Sequence, residues 1–163
     1  MRFGSSALVR RLSGVTVATA IALGPAIVVA APSAEAYTPS PATTAAYQAR
    51  VIQQINVVRH RYGRGGLTST YCPRLYAWRW ATYLARTGAF RHQSLYPILR
   101  TCRATVAAEN LARGFPNADR VVAAWMASPG HRRNILDGRL TRIGVAAVYG
   151  RGGWTVAADF TRS

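Results

Sequence analysis

The chain has 163 residues, and its 21 basic residues, every one an arginine, stand against five acids for a formal net charge of +16. That length leaves room for one domain, and the charge favours polyanionic surroundings in a salt-dependent way. The arginines are spread over nearly every segment from Arg50 to Arg162, without the basic helix or aromatic-interleaved stripe of a nucleic-acid reader, so no specific nucleic-acid partner is expected.

Residues 1–36 read as a signal peptide. Arg2, Arg10 and Arg11 form a basic start, Leu12 to Ala31 is free of charge, and Ala34-Glu35-Ala36 supplies small residues at a cleavage site. Export by the general route with cleavage after Ala36 is the expectation; the alternative is an uncleaved anchor, which Gly14, Gly24, Pro25 and Pro32 weaken. Three of the basic residues and one acid lie in this leader, leaving 127 residues with 18 arginines, four acids and a net charge of +14. A chain of that size buries a hydrophobic core without heavy crosslinking, and no later segment is apolar enough to span a membrane.

After cleavage, residues 37–44 read as a linker or N-terminal arm, and 45–163 as the folded domain. Tyr47, Val51, Ile55, Val58 and Tyr62 recur at helical spacing and predict a helix from Ala45 to Tyr62, ended by Gly63. Cys72-Pro73 opens a second helix that runs to Gly88, with proline at a permitted start. Its aromatic residues Tyr76, Trp78, Trp80 and Tyr83 are expected in the core, an exposed ligand-binding groove being the alternative. Cys72 and Cys102 are the only cysteines, and an even pair in an exported chain reads as a disulfide.

Thr105 to Ala108 suits a short strand leading to Glu109. Asn117 caps a third helix carrying Val121, Val122, Trp125 and Met126. Ser128 and Pro129 then stop that helix and start another, reaching about Leu136, with His131 in its first turn. Ile143 to Tyr149 and Trp154 to Phe160 form a β-hairpin around the glycines at 150–153. These elements describe an α+β fold, an α/β/α sandwich with a small three-stranded antiparallel sheet between helices.

Several stretches resemble the CAP superfamily of cysteine-rich secretory, antigen five and pathogenesis-related proteins in its bacterial, secreted form. Trp125-Met-Ala-Ser-Pro-Gly-His131 resembles its second signature, Phe90-Arg-His92 its first histidine element, Glu109-Asn-Leu-Ala112 its Gly-Glu-Asn-Leu-Ala run and Ile143-Gly-Val145 a core strand. Asn56-x-x-Arg59 with the later Gly-Leu turn resembles its first helix. The family's run has glycine where this chain has Ala108, which matters if that position needs a positive φ.

The resemblance implies a cavity lined by two histidines and two glutamates. Carried over, His92, Glu109 and His131 are the candidate site, and Ser128 stands where the second glutamate would be. Two imidazoles and one carboxylate make a donor set for Zn²⁺, with His92 and His131 the firmer ligands and Glu109 the weaker. A neutral His131 at a helix N-terminus suits a ligand or a general base. Glu109 has an alternative role as a buried carboxylate holding backbone N–H groups or an arginine.

The expected function is a secreted, envelope-associated binding module, monomeric, with anionic envelope polymers or lipids as partners and a lipid, sterol-like or other apolar small ligand in its cavity. A hydrolase assisted by metal or by the His/Glu set, acting on a peptide, ester or wall component, is the alternative. It lacks a G-x-S-x-G elbow and an H-E-x-x-H helix, and with one carboxylate in the set a two-carboxylate glycosidase is not expected. A structural protein with an idle cavity is the third reading.

Overall fold

The computed structural model describes residues 38–163; the expected signal peptide and the residue after it lie outside them. Helix α1 spans Pro41–Arg61, four residues earlier than its apolar stripe predicts. Ser40 accepts a hydrogen bond from the Thr43 N–H at 3.1 Å and Pro41 fills the first helical position, so the cap and not the stripe sets the start. Residues 41–44, expected in the arm, are thus its first turn. The buried stripe is Tyr47, Val51, Ile55 and Arg59, with Arg59 displacing Val58 at the end.

The remaining elements are β1 (Thr68–Ser69), α2 (Tyr71–Thr87), α3 (Tyr96–Thr101), β2 (Val106–Arg113), α4 (Ala118–Ala127), α5 (Pro129–Leu136), β3 (Arg142–Gly150) and β4 (Gly153–Arg162). The sheet has four strands in the order β1-β3-β4-β2, not three, and it is mixed because β1 runs parallel to β3. Two residues are too few to show period-two alternation, which is why β1 is silent in the sequence. The other pairings are antiparallel, and β2 lies at the edge of the sheet.

Strand alternation gives the sheet two different faces. One carries Val145, Ala147, Trp154, Val156, Ala158 and Phe160 into the main core with Val51 and Ile55 of α1 and Val121 and Trp125 of α4. The other meets α2 through smaller residues, Ala77, Ala81 and Leu84 against Leu111, Ala146 and Ala157. Gly144 explains the difference, since a Cβ there would overlap the backbone of Pro73 and Arg74 at the start of α2. A helix lying that close admits only small side chains beneath it.

Of the aromatic residues of α2 expected in the core, only Trp80 packs against it, half-buried beside Ala77, Ala81 and Leu84, while Trp78 and Tyr83 are exposed. The helix buries Pro73, Ala77, Ala81 and Leu84, while Tyr71 and Trp78 are 68% and 54% exposed. The disulfide Cys72–Cys102 is formed, with Cα atoms 5.6 Å apart, and joins the first turn of α2 to the residue after α3. In the chain-entropy account a loop of about 30 residues closed this way contributes roughly 3 to 4 kcal/mol. The Tyr76 hydroxyl and Thr101 Oγ1, 2.8 Å apart, reinforce the same junction.

The Asn-x-x-Arg pair of α1 is a structural clamp. Asn56 donates to the Leu67 carbonyl at 3.0 Å and accepts from the Leu67 N–H at 2.8 Å, fixing the turn that leads to β1. Arg59, 1% exposed, donates to the carbonyls of Gly65, Ile135, Asp137 and Leu140. It thereby ties the ends of α1 and α5 and the turn before β3 together. Burying a guanidinium without an ion pair is costly, and four carbonyl acceptors offset that cost.

Candidate functional site

Glu109 sits on edge strand β2 with its side chain on the α2 face, and 2% of that side chain is exposed. Ala108 beside it lies in extended strand, so the substitution of the family's glycine costs no strained backbone; Arg103 is the one non-glycine residue with positive φ among the described residues. His92 comes from the loop after α2. Gly88 ends that helix in the left-handed conformation, and Trp80 Nε1 donates to the Arg91 carbonyl at 3.0 Å. Arg113 completes the loop's support by donating to the carbonyls of Leu84, Gly88 and Ala89.

These supports set His92 Nδ1 2.6 Å from Glu109 Oε1. Gln93 makes the second half of the arrangement. Its backbone N–H donates to Glu109 Oε1 at 3.2 Å and its side-chain amide to Glu109 Oε2 at 2.8 Å. The same amide reaches Asp159 Oδ1 and Oδ2 at 3.1 and 3.0 Å.

Asp159, like Gln93, is a site residue that sequence reasoning missed. It pairs with Glu109 across the β2–β4 ladder and is fully buried. Burial, with the Glu109 charge alongside, pushes its carboxyl well above the usual range, although the Gln93 amide opposes the shift. A second acid does belong to the constellation, contrary to expectation, and it comes from β4. Two-carboxylate glycoside chemistry still finds no support, because a carboxyl with no exposed surface cannot reach a sugar.

His131 approaches from the other side of the β2 edge, as the third residue of α5. Its ring centroid lies 6.4 Å from that of His92. Asn110 Nδ2 donates to the His131 carbonyl at 3.1 Å, and Asn134 Nδ2 donates to Asn110 Oδ1 and to the Glu109 carbonyl. The Glu-Asn dipeptide thus divides its labour, Glu109 toward His92 and Asn110 toward α5. Burial, and then the neighbouring His92, lower the pKa of His131 and hold it neutral at pH 7. Trp125, the start of the same motif, is buried and donates through Nε1 to the Leu111 carbonyl at 2.8 Å, locking α4 against β2.

The three expected residues therefore gather on one edge of the sheet, with space on both sides of the imidazole pair. A cleft of about 270 Å³ is lined by His92, Gln93, Leu95, Ala107, Glu109 and Asn134. A second, of about 340 Å³, is lined by Phe90, Leu111, Phe115, Trp125, Ser128 and His131, and is largely apolar. Ser128 borders this space without making a side-chain cap bond to α5.

The donor set is a poor match to Zn²⁺ as it stands. Two imidazoles on one tetrahedral zinc hold their centroids roughly 5 Å apart, closer than the 6.4 Å here. Both oxygens of Glu109 are already engaged. Among the described residues no three His, Cys, Asp or Glu side chains form a group that could hold a metal ion.

The "CAP: Cysteine-rich secretory protein family" matches residues 37–160. The Bacillus subtilis protein YkwD is 30% identical over 125 residues, covering 72% of this chain and 49% of its own length. Among solved structures, an extracellular SCP-domain protein from Bacillus anthracis superposes with a TM-score of 0.63 at 22% identity, over 78% of this chain and 45% of its own. An outer surface protein from Borrelia burgdorferi superposes with a TM-score of 0.67 at 19% identity, over 73% of this chain and 94% of its own. The chain spans about half the length of the two Bacillus proteins, while the Borrelia protein is matched almost end to end. With the fold, the motifs and a match over residues 37–160 in agreement, the chain belongs to the CAP, or cysteine-rich secretory protein, family.

Proposed function

We propose that the chain is an exported binding module of the cell envelope that takes a small amphiphilic ligand across the His92–His131 cleft. The observation that carries this reading is the pair of unlike spaces flanking the imidazoles, one bordered by His92, Gln93 and Glu109 and the other by Phe90, Phe115 and Trp125. A polar head meets the first and an apolar body fills the second. Glu109 serves as a fixed acceptor, its oxygens held by His92 and Gln93, and orients the His92 ring toward the ligand. No helix among the described residues is long and apolar enough to cross a membrane. The test is titration of the exported protein with a pyrene-labelled fatty acid. Saturable binding weakened about tenfold by Phe90→Ala and by His131→Ala supports the cleft, and unchanged affinity in both variants rejects it.

One observation favours hydrolysis as a second reading. The short His92–Glu109 contact is the arrangement of an oriented general base, which could activate a water against a ligand ester or amide. Release of soluble fragments from isolated cell wall, lost in His92→Ala, would decide for it. Export itself is tested by the intact mass of protein in culture medium, expected to begin at Tyr37.

A further inference from the structure

A second site lies along the contact between α2 and β3. Strand β3 turns Gly144, Ala146, Val148 and Gly150 toward that helix, as the contacts of Gly144 with Pro73 and Arg74 and of Gly150 with Ala85 show. Two clefts follow one another over these positions. The first, of about 290 Å³, is lined by Gln48, Tyr71, Arg74, Leu75, Trp78 and Ala146. The second, of about 590 Å³, is lined by Arg86, Arg113, Val148, Gly150 and Arg151. From Ala146 to Gly150 the strand advances about 14 Å, so a short oligosaccharide laid along β3 is long enough to reach from one cleft to the other.

The chemistry changes from one cleft to the other. At one end Trp78 is 54% exposed and, among the described residues, has no ring partner or hydrogen bond, while Arg74 stacks on Tyr71 at 5.8 Å. At the other end Arg86 and Arg151 are exposed and free of ion pairs among the described residues, and Arg113 already covers the carbonyls at the α2 C-terminus that would repel an anion. No acid competes for these arginines. Between Ala36 and Ala108 the chain has none, Asp119 and Asp137 are paired with Arg50 and Arg139, and Glu109 and Asp159 are buried in the other site.

We propose that these two clefts bind a linear anionic glycan, a sugar face lying on Trp78 and a phosphate or carboxylate substituent held by Arg86 and Arg151. Aromatic faces suit the C–H groups of a sugar ring, and guanidinium forks suit both acid groups. Recessed clefts with their aromatic and cationic parts set apart fit a chain-like ligand better than a flat bilayer. The proposal rests on export to the envelope but not on occupancy of the His92–His131 cleft.

The test uses the exported protein with phosphomannan fragments, oligogalacturonate, neutral mannan oligomers, oligo(dT) and phosphatidylglycerol vesicles. The prediction is that at least one anionic glycan binds more tightly than neutral mannan, and the tighter of the two identifies the acid group. Arg86→Ala with Arg151→Ala should weaken that binding roughly tenfold, and Trp78→Ala about fivefold. The charge-matched pair Arg61→Ala with Arg133→Ala, on α1 and α5, should stay within about twofold, as should His92→Ala. Equal losses from both arginine pairs, no effect of Trp78→Ala, failure of both anionic glycans to bind, or tighter binding of oligo(dT) or vesicles through the same residues would each overturn it.

Discussion

The two faces of the sheet do different work, although the same strands build both. On β4, Trp154, Val156, Ala158 and Phe160 point into the main core, and between them Thr155, Ala157, Asp159 and Thr161 point toward α2. On β2 the second face carries Glu109 and Arg113. Bulky apolar side chains fill the face that α1 and α4 cover. The opposite face is thin and small-chained under α2, and that leaves room for ionisable groups, for the cleft at the β2 edge and for the two clefts along β3. The comparison teaches that strand parity sets bulky packing and buried carboxyls one residue apart, while the cleft at the β2 edge draws on both sides, His92 and Glu109 from one and Trp125 and His131 from the other.

The largest effect expected on this comparison comes from the bulky face. Phe160 is fully buried, and Phe160→Ala should cost about 3 to 5 kcal/mol of unfolding free energy in urea. Below its lowered midpoint the variant should still bind ligand at the His92 cleft; loss of binding in the folded variant would show that the faces are not independent. Next in size is the disulfide. Cys72→Ser with Cys102→Ser should cost roughly 3 kcal/mol and loosen α3 against α2, which hydrogen exchange across residues 96–101 would read.

The smallest effect has the opposite sign. Asp159 has a raised pKa in the folded state, so between the unfolded value near 3.9 and the folded one the native protein holds the extra proton. The stability associated with that proton is complete below the unfolded pKa and is lost as pH rises through the folded pKa. Asp159→Asn should therefore raise the stability at pH 7 by about 1 kcal/mol and make little difference near pH 3. Thermal melts at both pH values check it, and a variant less stable at pH 7 would mean that the carboxyl contributes as an anion.

Much of this was legible before the structure. The helix spacing of Tyr47, Val51 and Ile55 follows from local pattern, the pairing of Cys72 with Cys102 from their being the only two cysteines, and the gathering of His92, Glu109 and His131 from motif order. Three features were not legible, each because it depends on distant pairing. Asp159 lies opposite Glu109 only by virtue of the β2–β4 register, which joins residues 50 positions apart. The outward turn of Trp78 depends on Gly144, a residue of another element. Gln93 looks like an ordinary loop residue until both carboxyls converge on its amide. A polar residue directly after the candidate His92 was the available signal.

The central claim is that the cleft rests on a buried Asp159, its carboxyl pushed well above the usual range and bridged through Gln93 to Glu109. Carbon-13 NMR titration of side-chain carboxyls measures it directly, since the described chain holds only Glu109, Asp119, Asp137 and Asp159 as acidic side chains. The Asp159 resonance, assigned by its loss in Asp159→Asn, should remain in its protonated position well above pH 4 while Asp119 and Asp137, held down by their arginine partners, ionise below the usual range. An Asp159 signal that ionises together with those two would contradict the account.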